Sequence, residues 1–289
     1  MACARRLGLP ADDPVVVADG YSVRVHLRPA PVLTRVVTRG RVLRGDPRPW
    51  MEREVAVAAY AARRTDVVVP PWHDPGPHEV DGLEVSLWSW VEVVPGTVAP
   101  QEVALSLHAL HRALADCPVP LPPLAGPLAD VDAALRVSDD PVLHGAAAVL
   151  LPRALTWPRR PLHGDAHAGN LLPTADGPRW TDLEDVCAGP VEWDLASRTH
   201  DERTRRAYPG HLDVTRLQEC RDLRTLQVLA AVLLDDHPDE HPDDQPDDQP
   251  DDRPDEGLRG RLEADLAPVL AAAEATGRPG AGPQASLGT

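Results

Sequence analysis

The sequence contains no Lys, no Ile and no Phe, and its only Asn is Asn170. A Walker-type phosphate loop, GxxxxGK, needs a Lys that reaches the nucleotide phosphates. The sequence therefore excludes this class of nucleotide site. If a strand carries a cation that grips phosphate, that cation must be an Arg, which keeps the charge but differs from Lys in size and geometry.

Paired cysteines and long apolar runs are also missing. The four Cys residues are scattered without a C-x-x-C pair, which argues against a disulfide framework and against a zinc ribbon. Arg5 and Arg6 are not followed by the apolar stretch of a signal peptide. The longest apolar runs, such as residues 228–234, are far shorter than the ~20 residues that a membrane helix needs. We expect a cytoplasmic protein with no membrane partner.

The formal net charge is -16, and most of it comes from one segment. A negative chain is a poor partner for nucleic acid, so we expect none. Residues 235–256 hold twelve acidic residues and one Arg in a Pro-Asp-Asp-Gln-like repeat. Because proline removes backbone donors and like charges repel, this segment is predicted to be a disordered acidic insertion. The alternative is a tract that binds a partner or cations.

The first third of the chain is predicted to be rich in strands. Apolar and polar residues alternate over residues 22–27, which indicates a half-buried strand, and residues 32–38 are again rich in β-branched side chains. Residues 51–64 favour a helix. Residues 83–91 alternate as a further strand, and Pro95-Gly96 ends this part.

The remainder is predicted to be mainly helical. Apolar residues spaced by three and four over 103–114 form one helix face, and residues 217–234 and 257–275 give two more helical patterns. A short β-like island interrupts the helices. Two apolar runs within residues 170–183 flank an Asp-Gly turn signal, which predicts a hairpin.

Three polar residues around this hairpin carry the chemistry. Asp165 and Asn170 are five residues apart, and Asp182 follows Asn170 by twelve. A hairpin returns the chain to its starting point, so Asp182 can lie beside Asn170. Mg²⁺ prefers hard oxygen ligands and takes only one or two carboxylates from the protein. A further carboxylate can orient an acceptor hydroxyl and take its proton, so the group suits phosphoryl transfer.

Three segments in order resemble a known family. Residues 163–170, HGDAHAGN, resemble the HGDxxxxN motif of aminoglycoside phosphotransferases and of the related choline, homoserine and fructosamine kinases. Residues 181–185, TDLED, resemble the second acidic motif of these enzymes. Residues 187–196 look like the segment that follows it and end in Asp-Leu-Ala.

The resemblance implies an ATP- or GTP-dependent kinase that moves the γ-phosphoryl group to a hydroxyl of a small molecule. It implies Asp165 as the catalytic base, Asn170 and Asp182 as Mg²⁺ ligands, and Asp194 as a structural brace of the catalytic loop. The implied fold is α+β and two-lobed, like that of protein kinases. The small β-rich nucleotide lobe would span residues 1–95, and the larger helical lobe would span residues 96–289.

In the nucleotide lobe the resemblance is looser. Kinases grip the phosphates with a strand Lys held by a helix Glu. Here the corresponding strand offers Arg35, and the helix offers Glu54 or, as the weaker candidate, Glu52. The alternative is that Arg35 is an ordinary exposed strand residue. The expected glycine-rich loop at residues 19–22 has only one Gly. Residues 87–92 resemble the hinge between the two lobes, where backbone groups of a kinase contact adenine. Trp88 and Trp90 in this segment could face adenine or could be packing residues.

The sequence does not identify the substrate. Glu184, Asp185 and His167 lie near the predicted base in the sequence. Acidic residues there would suit a cationic substrate, such as an aminosugar or a choline-like alcohol.

Two other functions stay open. If His163, Asp165 and His167 shared the face of a strand, they could bind Zn²⁺ for a metal-dependent hydrolase. That function would leave Asn170 and Asp182 without a role. The missing Lys and the poor glycine loop also allow a catalytically inactive, kinase-like protein that binds nucleotide without turnover.

Overall fold

The computed structural model describes residues 2–20, 22–38, 46–235 and 256–275. The chain forms two compact units, one from Met1–Ala125 with Arg159–Asp213 and one from Gly126–Pro158 with Val214–Thr289. Residues 236–255 of the predicted acidic insertion lie outside the described residues. The lobe boundary near Pro95-Gly96 stays a prediction.

An antiparallel sheet of five strands, in the order β1-β2-β3-β5-β4, dominates the start of the first unit. These strands are β1 (Asp13–Ala18), β2 (Ser22–Arg28), β3 (Val32–Val37), β4 (His78–Val80) and β5 (Leu83–Ser89). The strands predicted over 22–27, 32–38 and 83–91 are therefore confirmed. The short strand β4 was not predicted, because three residues are too few to show a period of two.

The remaining strands are short, and the helices follow in chain order. The strands are β6 (Arg160–Leu162), β7 (Leu171–Leu172), β8 (Arg179–Trp180) and β9 (Cys187–Gly189). The helices are α1 (Ala2–Arg6), α2 (Arg48–Ala62), α3 (Pro100–Leu114), α4 (Ala125–Val137), α5 (Pro141–Ala154), α6 (Val191–Leu195), α7 (Glu202–Ala207), α8 (Val214–Asp235) and α9 (Glu256–Ala275). Strands in the first part and helices in the second confirm the predicted α+β class.

Buried apolar residues of the sheet and of α2 support the elements that carry Arg35 and Glu54. Leu27, Val32 and Leu87 pack in one buried cluster of the sheet. In α2, Met51 is fully buried, and a Pro in the first turn suits a position whose N–H has no helical partner. Glu54 is only 1% exposed, and it is the one charged residue on the buried face of α2.

The predicted hairpin is present and shorter than the sequence pattern indicated. β7 and β8 pair antiparallel, with Leu171 opposite Trp180. Gly177 in the turn has a φ of 109°, a value that a residue without a Cβ adopts without strain. The hairpin joins the segment of Asp165 and Asn170 to the segment of Asp182.

Helices complete both units. In α3 the apolar face is buried, with Leu107, Leu110 and Leu114 fully enclosed, as the spacing predicted. α7 packs against this helix within the first unit. The second unit packs α5, α8 and α9 on one another, and the helices predicted over 217–234 and 257–275 are confirmed. Over the described ranges, no helix combines the length and apolarity needed to cross a bilayer.

Candidate active site

The loop that follows β6 is held by one buried carboxylate. Asp194, in α6, has no exposed surface, and its two oxygens accept hydrogen bonds of 2.9 Å from the backbone N–H groups of His163 and Gly164. Trp193 donates its indole N–H to the carbonyl oxygen of Gly164 at 2.6 Å. These contacts fix the loop backbone immediately before Asp165, which is the bracing role that the resemblance implied for Asp194.

Asp194 is in turn held by a neighbouring helix. His111 in α3 lies with Nε2 2.9 Å from Asp194 Oδ2 and with Nδ1 2.8 Å from the Tyr208 hydroxyl. Burial, together with the nearby Asp194 charge, raises the pKa of Tyr208 to about 12, so the phenol stays protonated. His111 and Tyr208 were not predicted from the sequence. The one available signal was a titratable residue within the apolar face of α3.

Gly164 is required by close backbone contact. Its φ is 90°, and a Cβ on this residue would stand 1.8 Å from the carbonyl oxygen of Asp185. No rotamer relieves such an overlap, because both atoms belong to the backbone framework. The loop and the segment after Asp182 can therefore approach each other only when residue 164 is Gly.

We expect Gly164→Ala to lower the free energy of unfolding by about 2–4 kcal/mol, from steric overlap and from an unfavourable φ. Urea denaturation followed by circular dichroism measures this loss. Gly177→Ala is the matched control, since Gly177 also has a positive φ of 109°, but no atom lies within 4 Å of the place that its Cβ would take. Equal losses in the two variants would show that the overlap costs nothing and that the loop moves freely.

Asp165 and Asn170 lie together at the end of the loop. The Asn170 amide nitrogen donates to the backbone carbonyl of Asp165 at 3.0 Å and lies 3.3 Å from its Oδ2. A 3-10 turn, Ala168–Asn170, brings Asn170 back to this position, and His167 accepts from Gly169 N–H in its first turn. His167 Nε2 is 3.3 Å from Asp165 Oδ2. The Asp165 side chain is 36% exposed, so a small molecule can reach its carboxylate.

The backbone places Asp182 beside this pair. Thr181 N–H donates to the carbonyl oxygen of Asn170 at 2.9 Å. Asp182 itself has a φ of 62°, in the left-handed region, which costs roughly 1 kcal/mol or more for a residue with a Cβ. The hairpin thus brings the chain back to Asn170 immediately before Asp182, and the Asp165 charge acts on the Asp182 carboxylate. The chemical roles of the three residues stay predictions.

Two arginines face the Asp182 carboxylate. Arg24 in β2 contacts Oδ2, and Arg35 Nη1 lies 3.4 Å from Oδ1. Burial alone would raise the pKa of Asp182, but the charges of Arg35 and Arg24 outweigh burial and hold the pKa below its ordinary value. Asp182 Oδ1 is buried and accepts no hydrogen bond from the part of the chain that the structure describes. The part of Arg24 in this group was not predicted from the sequence.

Arg35 and Glu54 form the predicted ion pair. Arg35 Nη1 donates to Glu54 Oε2 at 2.8 Å, Nε donates to Ser22 Oγ at 3.1 Å, and Nη2 contacts Glu184. Arg35 is 5% exposed, so the alternative that it is an ordinary exposed strand residue is wrong. Burial acts to raise the pKa of Glu54, and the Arg35 charge acts in the opposite direction. Whether the pair serves a nucleotide stays a prediction.

The two tryptophans within residues 87–92 differ in their surroundings. Trp88 is 5% exposed and donates its indole N–H to Ser86 Oγ at 2.9 Å, so it is a packing residue. Trp90 stacks on His26 in β2, with ring centroids 3.7 Å apart and planes 9° from parallel. The Trp90 ring is partly exposed.

The residues expected near the base have different surroundings. His167 contacts Asp165, as its position in the loop suggested. Glu184 instead contacts Arg35, and Asp185 is buried with its carbonyl against Gly164. Sequence proximity to the base did not show which way these side chains point.

The zinc arrangement has no support. β6 ends at Leu162, so His163, Asp165 and His167 do not share the face of a strand. His163 is buried, its Nε2 donates to the carbonyl oxygen of Thr181 at 3.0 Å, and its Nδ1 accepts from Asp165 N–H at 3.3 Å. In the described ranges, no three His, Cys, Asp or Glu side chains form a group that could hold a metal ion.

Solved structures with a similar fold include a choline kinase and aminoglycoside phosphotransferases. Choline kinase LicA from Streptococcus pneumoniae is 10% identical, with a TM-score of 0.65, over 93% of this chain and 98% of that one. A choline/ethanolamine kinase family protein from Mesorhizobium loti is 17% identical, with a TM-score of 0.60, over 92% of each chain. A thermostable mutant of aminoglycoside phosphotransferase APH(4)-Ia, in complex with AMP-PNP and hygromycin B, is 15% identical, with a TM-score of 0.59, over 91% of this chain and 95% of that one.

These identities establish the fold alone. No curated protein sequence matches the chain. The model of the phosphotransferase enzyme family matches residues 15–224, which is most of the chain and includes every residue of the site described above. The chain belongs to the phosphotransferase enzyme family.

Proposed function

We propose that the protein is a small-molecule kinase that transfers the γ-phosphoryl group of ATP or GTP to a hydroxyl group. One observation carries the proposal. The accessible carboxylate of Asp165 lies against the amide of Asn170, and the hairpin returns the chain to Asn170 directly before the half-buried Asp182, whose carboxylate lies within reach of the Asp165 charge. An acceptor-facing acid beside two oxygen ligands is the arrangement that phosphoryl transfer requires.

The donor atoms fit Mg²⁺. Asp182 Oδ1 is a buried oxygen that accepts no hydrogen bond from the described residues. The Asn170 amide nitrogen is directed to Asp165, so its carbonyl oxygen is the end left for a cation. One carboxylate and one amide oxygen suit Mg²⁺, which takes few protein ligands and completes its shell with phosphates and water. When bound, the metal and nucleotide would supply the phosphoryl group and the neutralising charge.

Asp165 would orient the acceptor hydroxyl and take its proton. The carboxylate is partly exposed, while the backbone N–H groups before it are fixed by Asp194. Asn170 limits the rotation of the carboxylate by contacting Oδ2. A carboxylate that is already fixed in its reactive orientation lowers the activation free energy of the transfer, because less conformational entropy is lost in reaching the transition state.

Arg35 and Glu54 would form the cation–carboxylate pair of the nucleotide lobe, which we place at residues 1–95, with residues 96–289 as the acceptor lobe. The pair is buried, and the 2.8 Å contact fixes the direction of the guanidinium. The acceptor is unidentified. The related structures are a choline kinase and an aminoglycoside phosphotransferase bound to hygromycin B, so cationic alcohols and aminosugars are the first acceptors to test.

A nucleotide-consumption screen tests the proposal. The full chain would be mixed with Mg²⁺, with ATP or GTP, and with a panel of aminoglycosides, amino alcohols and sugars. We expect nucleoside diphosphate to form in step with one phosphorylated acceptor, identified by mass spectrometry, and to stay at background without acceptor. Nucleotide binding with no transfer to any acceptor would favour the inactive, kinase-like alternative.

A further inference from the structure

Two arginines on neighbouring strands converge on one carboxylate. Arg24 in β2 and Arg35 in β3 are directly opposite each other in the antiparallel register. Opposed residues of an antiparallel pair point to the same face of the sheet, so the two guanidinium groups lie side by side. Both contact Asp182, one at each carboxylate oxygen.

The surroundings of Arg35 leave it little freedom. Each of its three side-chain nitrogens has an acceptor, on Ser22, Glu54 and Glu184. Its Cζ atom also lies 5.4 Å from the centroid of the Trp50 ring. With 6% of the side chain exposed, Arg35 would have to break a buried ion pair to turn toward another anion.

Arg24 is the more available cation. Its side chain is 31% exposed, and its ion pair is with Asp182, the carboxylate that we propose as a Mg²⁺ ligand. A carboxylate that shares its charge with a divalent cation at Oδ1 is a weaker acceptor for a guanidinium at Oδ2 as well, because the negative charge is delocalised over both oxygens. Arg24 would then need another anionic partner, and phosphate oxygens suit the planar fork of Arg.

We propose that Arg24 binds the phosphates of the nucleotide and that Arg35 is a positioning residue that holds Glu54, Glu184 and Asp182 in place. The inference rests on the proposed function. It assigns the phosphate contact to a residue of β2 that pairs with Asp182 when no nucleotide is bound. The ligand is a nucleoside di- or triphosphate, recognised through its phosphates rather than its base.

Equilibrium binding of ADP and adenosine to the full chain at constant Mg²⁺ tests this assignment, since neither ligand needs an acceptor. We expect Arg24→Ala and Arg24→Gln to weaken ADP binding about 10- to 100-fold, the loss that follows from removing a charged hydrogen bond. Adenosine should bind as to the wild type. Arg28→Ala is the matched control, because Arg28 lies on the same strand in an exposed pair with Asp13.

Further variants and outcomes separate the possibilities. Arg24→Lys should recover part of the ADP affinity, because it keeps the charge without the bidentate fork. The assignment fails if ADP binds the Arg24 variants as tightly as the wild type, or if adenosine binding falls equally, which would show a structural role. Failure of the wild type to bind ADP would overturn the proposed function as well. Transfer activity that survives in Asp165→Asn contradicts only the base assignment.

Discussion

Asp165→Asn is expected to lower kcat by about 10²- to 10⁴-fold, the usual contribution of a positioned general base. Asn has nearly the same shape as Asp, so the contact with Asn170 and the loop conformation should persist. Nucleotide affinity should therefore stay within about twofold of the wild type, because the carboxylate faces the acceptor rather than the phosphates in the proposed mechanism.

The measurement pairs steady-state transfer, on whichever acceptor the screen identifies, with equilibrium nucleotide binding. Asp176→Asn is the control, since it makes the same chemical change at an exposed position in the turn between β7 and β8. Unchanged kcat in Asp165→Asn would remove Asp165 from the role of base. Loss of nucleotide binding together with kcat would instead point to a collapsed loop.

Asp194→Ala is expected to cost about 3–5 kcal/mol of unfolding free energy, as breaking a buried charged network does. The change leaves the N–H groups of His163 and Gly164 without their acceptor, and it removes the partner of His111 Nε2. None of these groups lies at the surface, because His111, His163 and Gly164 are all buried. The lost energy would be a large share of the total stability of an ordinary domain.

Urea denaturation measures this effect, and Asp13→Ala provides the comparison. Asp13 is 72% exposed in its pair with Arg28, so its removal should change the stability by less than about 1 kcal/mol. Asp194→Asn should lie between the two, since the amide keeps one acceptor oxygen. A loss below about 1 kcal/mol in Asp194→Ala would show that the loop holds its shape without the brace.

The sequence pattern predicted the site residues that are brought together by a single turn or by one connection between consecutive elements. The Asp-Gly turn predicted a hairpin, and a hairpin suffices to bring Asp182 back to Asn170. The pairing of Arg35 with Glu54 followed from the order strand then helix, together with a family resemblance. In both cases the partners are separated by one turn or one connection.

The residues that could not be predicted from the sequence depend on distant packing. Arg24 meets Asp182 across 158 positions, and His111 meets Asp194 across 83. Residue spacing in the sequence cannot predict contacts of this kind, because they depend on the tertiary packing of β2 and α3 against the site. Glu184 was one of the acidic residues that would suit a cationic substrate, and the structure shows it in contact with Arg35. Asp182, two residues earlier, has a left-handed backbone, which the sequence pattern did not reveal.

The bracing of the loop also has a consequence for biosynthesis. α3 is complete after residue 114, but the hydroxyl partner of His111 comes 97 positions later, and α7 packs on α3 from that same late segment. At ribosomal speeds of 5–20 residues per second, this interval lasts roughly 5–20 s. During that time the nascent chain carries α3 without the Tyr208 ring and hydroxyl group that contact His108 and His111 in the complete protein. Translation between α3 and α7 is thus an interval in which α3 lacks part of its native packing and the brace of the catalytic loop is incomplete.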